Sequence, residues 1–145
     1  MEDRLALVVA DWDVRRMLRE SLRIAGYRVM EATRSEESFP DNADLVFLDP
    51  GTVEEGALEL MARVFDENPG AEVVVVSTPE MIAHSLPRGA CEYLPKPFGC
   101  WQVRQVLERL HRQRLLERRQ RLLETEAASL RGRVEWLTAS LQQGR

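Results

Sequence analysis

The sequence predicts an α/β fold in which a doubly wound parallel sheet of five strands is followed by a long C-terminal helix. Short apolar runs alternate with amphipathic segments, and polar residues stand where the runs end. In addition, leucine recurs every seven residues near the C-terminus. Alternating strand and helix patterns are typical of parallel sheets covered by helices on both faces. We therefore expect an α/β domain over residues 1–112 and a coiled-coil helix over residues 113–145.

The composition is that of a globular protein with one ordinary core, since 44% of the 145 residues are hydrophobic. The two cysteines, Cys91 and Cys100, match neither a disulfide framework nor a zinc site. There is no signal peptide and no apolar run of transmembrane length, so we expect a cytoplasmic protein without membrane contact. Residues 101–145 are basic, but their charges alternate with leucine and glutamate, and no direct contact with nucleic acid is expected.

Five apolar runs predict the strands, and the segments between them carry helix signals. The predicted strands are residues 5–9, 28–32, 45–48, 73–76 and 92–94. Helices are predicted at residues 14–25 and 35–38, from a capping box at Thr52 and Glu55 to Asn68, and at residues 79–86. Asp13 is the expected cap of the first helix and Gly26 its stop. The run 45–48 is apolar throughout, which is typical of a central strand buried on both faces.

Polar side chains follow four of the predicted strands, namely Asp11, Asp49, Ser77 and Lys96. The carboxyl ends of parallel strands share one edge of a sheet, where ligands collect. Two carboxylates there suit Mg²⁺, and a carboxylate nucleophile with a nearby ammonium suits phosphoryl transfer. Lys96 is the only lysine among 20 basic residues, which favours a need for a compact point charge. For any one of these residues, a turn or a helix cap is the simpler interpretation.

Short motifs at these strand ends resemble the receiver domain of bacterial two-component response regulators. They are Leu7-Val-Val9 with Asp11, Asp44-Leu-Val-Phe-Leu-Asp49, Ser77, Gly89-Ala90 and Glu92-Tyr-Leu-Pro-Lys-Pro-Phe98. The resemblance covers residue 4 to about residue 112. It implies a flavodoxin-like (βα)5 fold and a cis peptide bond between Lys96 and Pro97.

The resemblance also implies roles for individual residues. Asp49 would accept a phosphoryl group from a sensor histidine kinase, and Lys96 would contact that group. Ser77 and Tyr93 would shift in response. The implied metal is Mg²⁺, with the ligands Asp11, Asp49, the backbone carbonyl of Gly51 and, as a further candidate, Asp13. Such a domain is a phosphoacceptor, capable at most of self-phosphorylation and self-dephosphorylation, rather than an enzyme.

The sequence departs from the receiver pattern close to the expected site. Ala10 stands where the family has the first of two adjacent acids, so metal binding is expected to be weakened. Thr78 replaces a smaller residue, and its bulk would restrict access to an acyl phosphate. An alternative is therefore a pseudo-receiver that acts as a scaffold without phosphorylation. A flavodoxin-like enzyme or nucleotide binder is a third possibility, but no glycine-rich loop follows the first strand.

The C-terminal segment repeats apolar residues at the a and d positions of a heptad, a pattern that favours two parallel helices. The predicted seam residues are Leu116, Leu123, Ala127, Leu130, Val134, Leu137 and Leu141. Across a parallel homodimer, the flanking pairs would be Arg112 with Glu117, Arg119 with Glu124, and Glu126 with Arg131. Gln120 is a polar a position that would fix the register. The alternatives are a single helix packed on the α/β domain and a solvated linker.

A receiver followed by a coiled coil resembles the front half of a longer regulator. Such linkers occur in sigma-54-dependent activators and in regulators with enzymatic output. The expected output, transcriptional in the first case, would lie in a domain outside this chain.

Overall fold

The computed structural model describes residues 4–33, 40–51, 54–80 and 90–144. The predicted helix at residues 35–38, most of that at residues 79–86, and Thr52 of the capping box lie outside these ranges. The chain divides into two compact units, Met1–Glu108 and Arg109–Arg145. The first unit is called the α/β unit below and the second the helical unit.

The α/β unit contains one parallel sheet, as predicted. Its strands are β1 (Leu5–Val9), β2 (Arg28–Ala32), β3 (Leu45–Leu48), β4 (Glu72–Ser77) and β5 (Glu92–Pro95). The spatial order is β2-β1-β3-β4-β5, and each neighbouring pair is parallel. The strand 45–48 is therefore central, and every residue of β1 and β3 is buried. The chain adds β2 on one side of β1 and then adds β3, β4 and β5 on the other side. In α/β folds, ligands bind at such a switch in strand order, which here lies between β1 and β3.

Three helices are described: α1 (Trp12–Ile24), α2 (Glu54–Glu67) and α3 (Cys100–Gln143). Alternate residues of β1, β3 and β4 form one core cluster with Leu60 and Val64 of α2. The remaining residues of β1 and β3 are buried as well, as are Val103 and Val106 of α3. Both faces of the sheet are thus covered, which is why the central strands tolerate no polar residue.

Helix α1 begins at a different residue from the one predicted but ends where predicted. Its N-cap is Asp11, and Asp13 falls in its first turn, so the expectation of an Asp13 cap is wrong. At the other end, Gly26 takes a φ of 95°, which favours glycine, and its N–H donates to the Arg23 carbonyl. The predicted stop at Gly26 is confirmed.

Helix α3 is continuous over 44 residues and includes Gly132. Every residue from Leu115 to Gly144 is exposed, including the predicted seam. Within the described ranges, no helix combines the length and apolar character needed to cross a membrane.

Candidate functional site

Asp49 and Lys96 are positioned by main-chain hydrogen bonds that extend the sheet ladder past the strand ends. Asp49 is the first residue after β3, and its N–H donates to the Val9 carbonyl at 2.9 Å. Lys96 is the first residue after β5, and its N–H donates to the Ser77 carbonyl at 2.8 Å. The side chains therefore start from fixed main-chain positions at the carboxyl edge of the sheet.

The Asp49 carboxylate has a partner on each oxygen. Lys96 Nζ lies 2.5 Å from Oδ2, and the Gly51 N–H donates to Oδ1 at 2.9 Å. The Asp49 side chain is 2% exposed and that of Lys96 is 32% exposed. A carboxylate buried to this degree needs charged or hydrogen-bonding partners to offset its lost hydration, and these two groups supply them.

Gly51 makes its contact from a backbone conformation that favours glycine. Its φ is 78°, a left-handed region that residues with a Cβ rarely adopt. From the resemblance we expected only the Gly51 carbonyl to matter, as a metal ligand. Its N–H contact with Asp49 was missed, because it depends on the turn that follows β3 and not on residue type alone.

Ser77 lies on β4, which pairs with β3, and Tyr93 lies on β5, which pairs with β4. Ser77 is the last residue of β4, is 5% exposed, and is opposite Pro95 in the ladder. Tyr93 is half-buried opposite Val75 and packs against the core cluster. Ser77 is thus joined to Lys96 through the main chain, while Tyr93 lies further into the sheet.

Asp11 and Asp13 are both exposed, at the start of α1. The Asp11 carbonyl accepts the first helical hydrogen bond, from the Arg15 N–H at 2.9 Å, but its side chain makes no capping hydrogen bond. Ala10, which replaces an acid of the receiver pattern, is buried. Among the described residues, no three acids, histidines or cysteines group closely enough to hold a metal ion, so Asp13 does not complete such a group.

The donor atoms that remain still fit Mg²⁺. The carboxylates of Asp11 and Asp49 and the carbonyl of Gly51 are hard oxygen donors, which Mg²⁺ prefers. Because Mg²⁺ usually keeps several waters and uses only one or two carboxylates, a group of three side chains is not required.

The opposite edge of the sheet carries a polar cluster with a structural role. Asp44 Oδ2 accepts the Leu5 N–H at 2.9 Å and so ties the start of β3 to β1. Burial raises the pKa of the nearby Tyr27 hydroxyl; Arg4 lowers it, and Glu72 and Asp44 raise it further. This cluster lies at the far ends of the strands from Asp49.

The chain is similar to a DNA-binding transcriptional regulator NtrC from Bradyrhizobium sp. (strain RP501 Parasponia), with 32% identity over 113 residues. The match covers 72% of this chain and 24% of that protein. The chain spans about a quarter of the length of the curated relatives that it matches. No protein-family model matches the chain.

Solved structures of response regulators are similar to this chain as well. A response regulator from Thermotoga maritima is 27% identical with a TM-score of 0.57, covering 77% of this chain and 97% of that one. NtrX from Brucella abortus, 24% identical, shares the fold with a TM-score of 0.62, covering 81% of this chain and 29% of that one. The Lys96–Pro97 peptide bond is cis, as the receiver resemblance implied. The sheet order and these similarities together show that the chain belongs to the response-regulator receiver domains of two-component systems.

Proposed function

We propose that Asp49 accepts a phosphoryl group from a phosphohistidine of a sensor histidine kinase. An Asp49 carboxylate oxygen forms the new O–P bond as the histidine N–P bond breaks, and the histidine nitrogen keeps the bonding electron pair. The product is an acyl phosphate on this chain, so the domain is a phosphoacceptor, limited to self-phosphorylation and self-dephosphorylation, rather than an enzyme. The contact of Lys96 Nζ with Asp49 Oδ2 is the observation that supports this proposal best.

The neighbouring side chains have separate tasks in this step. The Lys96 ammonium is close enough to follow the charge as it moves from the carboxylate to the phosphoryl oxygens. The Ser77 hydroxyl, which is buried at the same edge, would turn toward the phosphoryl group, and Tyr93 would repack beside the core cluster. The added charge of about −1.5 to −2 thereby acts on the packing of β4 and β5.

Mg²⁺ would be held by Asp11, Asp49 and the Gly51 carbonyl. When bound, it neutralises charge on the phosphoryl oxygens. Asp49 and Gly51 both lie in the turn after β3, separated by Pro50, whereas Asp11 is exposed beyond β1. With Ala10 in place of a second acid, fewer charges attract the ion, and we expect weaker Mg²⁺ binding than in receivers that carry both acids.

The output is proposed to pass through a parallel homodimer of the helical unit. The leucines at d positions are exposed along α3, and a second copy would cover them. Three predicted flanking pairs have opposite charges, although each exposed pair contributes only ~0.2–1 kcal/mol. The similarity to NtrC, described as a DNA-binding transcriptional regulator, supports a transcriptional output. That output would require a domain outside this chain.

Phosphorylation is tested by intact mass after incubation with Mg²⁺ and a small phosphodonor such as acetyl phosphate. We expect an increase of one phosphoryl group in the native chain and in Asp66→Asn, which alters an exposed acid of α2. We expect none in Asp49→Asn. An adduct of equal yield on Asp49→Asn would reject Asp49 as the acceptor.

The dimer is tested by sedimentation of the full chain and of two variants on the same helix. Leu123→Lys places a charge in the predicted seam and should yield monomers. Thr125→Lys places the same charge at an outward f position and should leave the dimer intact. Equal behaviour of the two variants would reject the predicted seam.

A second candidate is a pseudo-receiver that dimerises without phosphorylation. The buried Ala10 at an expected acidic position favours it. In that case no phosphodonor or kinase would produce an adduct at any Mg²⁺ concentration, while the sedimentation results would be unchanged.

A further inference from the structure

The helical unit has two unlike halves, here named the proximal segment (residues 109–122) and the distal segment (residues 123–144). The proximal segment carries six arginines and one glutamate, and the distal segment carries two arginines and three glutamates. Five of the six proximal arginines are exposed, and Arg114 is half-buried. One helix of a parallel pair would thus bring five net positive charges to the proximal half, and its partner would bring five more.

The predicted seam changes character at the same boundary. The a positions of the proximal segment are Gln113 and Gln120, whereas those of the distal segment are Ala127, Val134 and Leu141. Gln120 Nε2 donates to Glu124 Oε1 of its own helix at 3.2 Å, so the amide is directed along the surface of the helix. Polar a positions specify register but weaken the seam, and two occur in succession here.

We infer that two copies of this chain contact each other through the distal segment, while their proximal segments stay apart. This inference rests on the parallel dimer proposed above and adds where along the helix that dimer is closed. Leu123, Leu130 and Leu137 are exposed d residues in the segment where the a positions are apolar, so hydrophobic burial favours contact there. Gly132 lies at an outward f position and removes nothing from the seam.

Repulsion between the arginines of the two copies opposes contact between their proximal segments (closure), and this repulsion depends on the salt concentration. The predicted pairs of Arg112 with Glu117 and of Arg119 with Glu124 offset part of the repulsion. The exposed arginines at 118 and 121 lie at outward positions of the heptad and form no such pair across the predicted dimer. Repulsion between exposed charges reaches ~30 Å at 0.01 M salt and ~10 Å at 0.1 M. Closure should therefore be least favourable at low ionic strength.

An open proximal segment gives the dimer an adjustable stretch next to the receiver in sequence. A ligand or modification can shift such an equilibrium only by its differential effect on the two states. Phosphorylation of Asp49 would act on the dimer by favouring or opposing closure of this segment. The distal contact would persist in both states.

Disulfide cross-linking of the full chain tests the inference, in a background with Cys91→Ser and Cys100→Ser. Gln120→Cys and Val134→Cys each place one cysteine at an a position, where parallel helices approach closely enough for a disulfide. Under mild oxidation we expect Val134→Cys to cross-link about tenfold faster. Nearby arginines favour the thiolate at position 120, so a difference in thiol reactivity would act against this result.

The outcomes distinguish the inference from the dimer on which it rests. Equal rates at the two positions would overturn the inference and leave the dimer standing. Failure of both positions to cross-link would reject the dimer itself. Gln113→Leu, added to Gln120→Cys, should raise the rate at position 120, and so should added NaCl. Thr125→Leu, at an outward position, should not change it. If neither Gln113→Leu nor salt raises the rate, the explanation from polar and charged residues is wrong.

Discussion

The two units of this chain place their apolar residues in opposite environments. In the α/β unit, each residue of β1 and β3 is buried, and the site at the carboxyl edge is held by ladder hydrogen bonds. In the helical unit, every described residue from Leu115 onward is exposed, although leucine recurs there regularly. The first unit buries the apolar residues of its central strands within one chain, although single large side chains such as Trp12 and Ile24 are exposed on its surface. The second unit has a regular apolar pattern that only another surface can bury. Stability of the first should be independent of protein concentration, and that of the second should depend on it.

Replacement of one apolar residue in each unit by alanine should show the largest difference between the two units in the free energy of unfolding. Phe47 is fully buried in β3, and Phe47→Ala should lower the free energy of unfolding of the α/β unit by about 3–5 kcal/mol. Leu137, which is 54% exposed, should have no such effect when replaced by alanine. Chemical denaturation at two protein concentrations checks this. A concentration-dependent midpoint for Phe47→Ala would contradict the distinction between the units.

Removal of the ammonium at the site should have the next largest effect. Lys96→Met leaves the buried Asp49 carboxylate without its ion pair, and because Lys96 is partly exposed we expect a loss of about 1–3 kcal/mol. Arg19→Met is the matched control, because Arg19 is as exposed as Lys96 (32%), whereas its partner Glu31, at 3.1 Å, is 26% exposed and Asp49 only 2%. The Arg19–Glu31 pair should contribute below ~1 kcal/mol. Urea denaturation in metal-free buffer measures both. Equal losses would mean that burial of Asp49 has no energetic consequence.

A change within α3 should act on the helical unit alone. A Cβ added at Gly132 would meet no atom within 4 Å, so Gly132→Ala should stabilise the helix by about 1 kcal/mol. Circular dichroism during thermal unfolding should show a higher transition for α3. The yield of phosphorylation at Asp49 should be unchanged, and a lower yield would indicate that α3 and the site are coupled.

The smallest effect should come from the polar cluster at the far edge of the sheet. Burial raises the pKa of Tyr27 above its ordinary value, so the folded state holds the phenolic proton more tightly than the unfolded state. The resulting stability is complete below the unfolded pKa, near 10, and is lost as the pH rises through the higher folded pKa. Tyr27→Phe should remove this loss. Denaturation midpoints between pH 9 and 11 would show whether the slope disappears.

Much of the fold followed from the sequence, because apolar runs bounded by turn residues define buried strands. All five strands were predicted to within one residue or two, and the central position of residues 45–48 is confirmed. The predicted N-cap of α1 was wrong because Asp11 and Asp13 are both residue types that favour the N-cap position, and spacing alone does not distinguish between them. Residue type is a poor guide to burial on this helix, because Met17 is exposed, whereas Ser21 is buried and donates to the Met17 carbonyl. A serine whose hydroxyl donates to a carbonyl of its own helix can be buried, and the pattern of apolar residues in the sequence does not reveal this.

At the candidate site, the sequence predicted which residues share an edge but not how they contact one another. The approach of Lys96 to Asp49 follows from the ends of β3 and β5 lying on the same side of the sheet. The contact of the Gly51 N–H with Asp49 depends on a left-handed turn, which residue type permits but does not require. The roles of Asp11, Asp13, Ser77 and Tyr93 remain predictions, as does the coiled-coil seam.

Asp49 follows the central strand without an intervening residue, so its direction is inherited from the pleat of β3. Side chains alternate between the faces of a strand, and loss of one residue from Leu45–Leu48 would reverse the side to which the next one points. The length of β3 therefore determines whether the Asp49 carboxylate faces Lys96. Insertions between Asp49 and α2 would not change the side of the sheet to which the Asp49 carboxylate points. A one-residue slip inside β3 would turn that carboxylate away from Lys96.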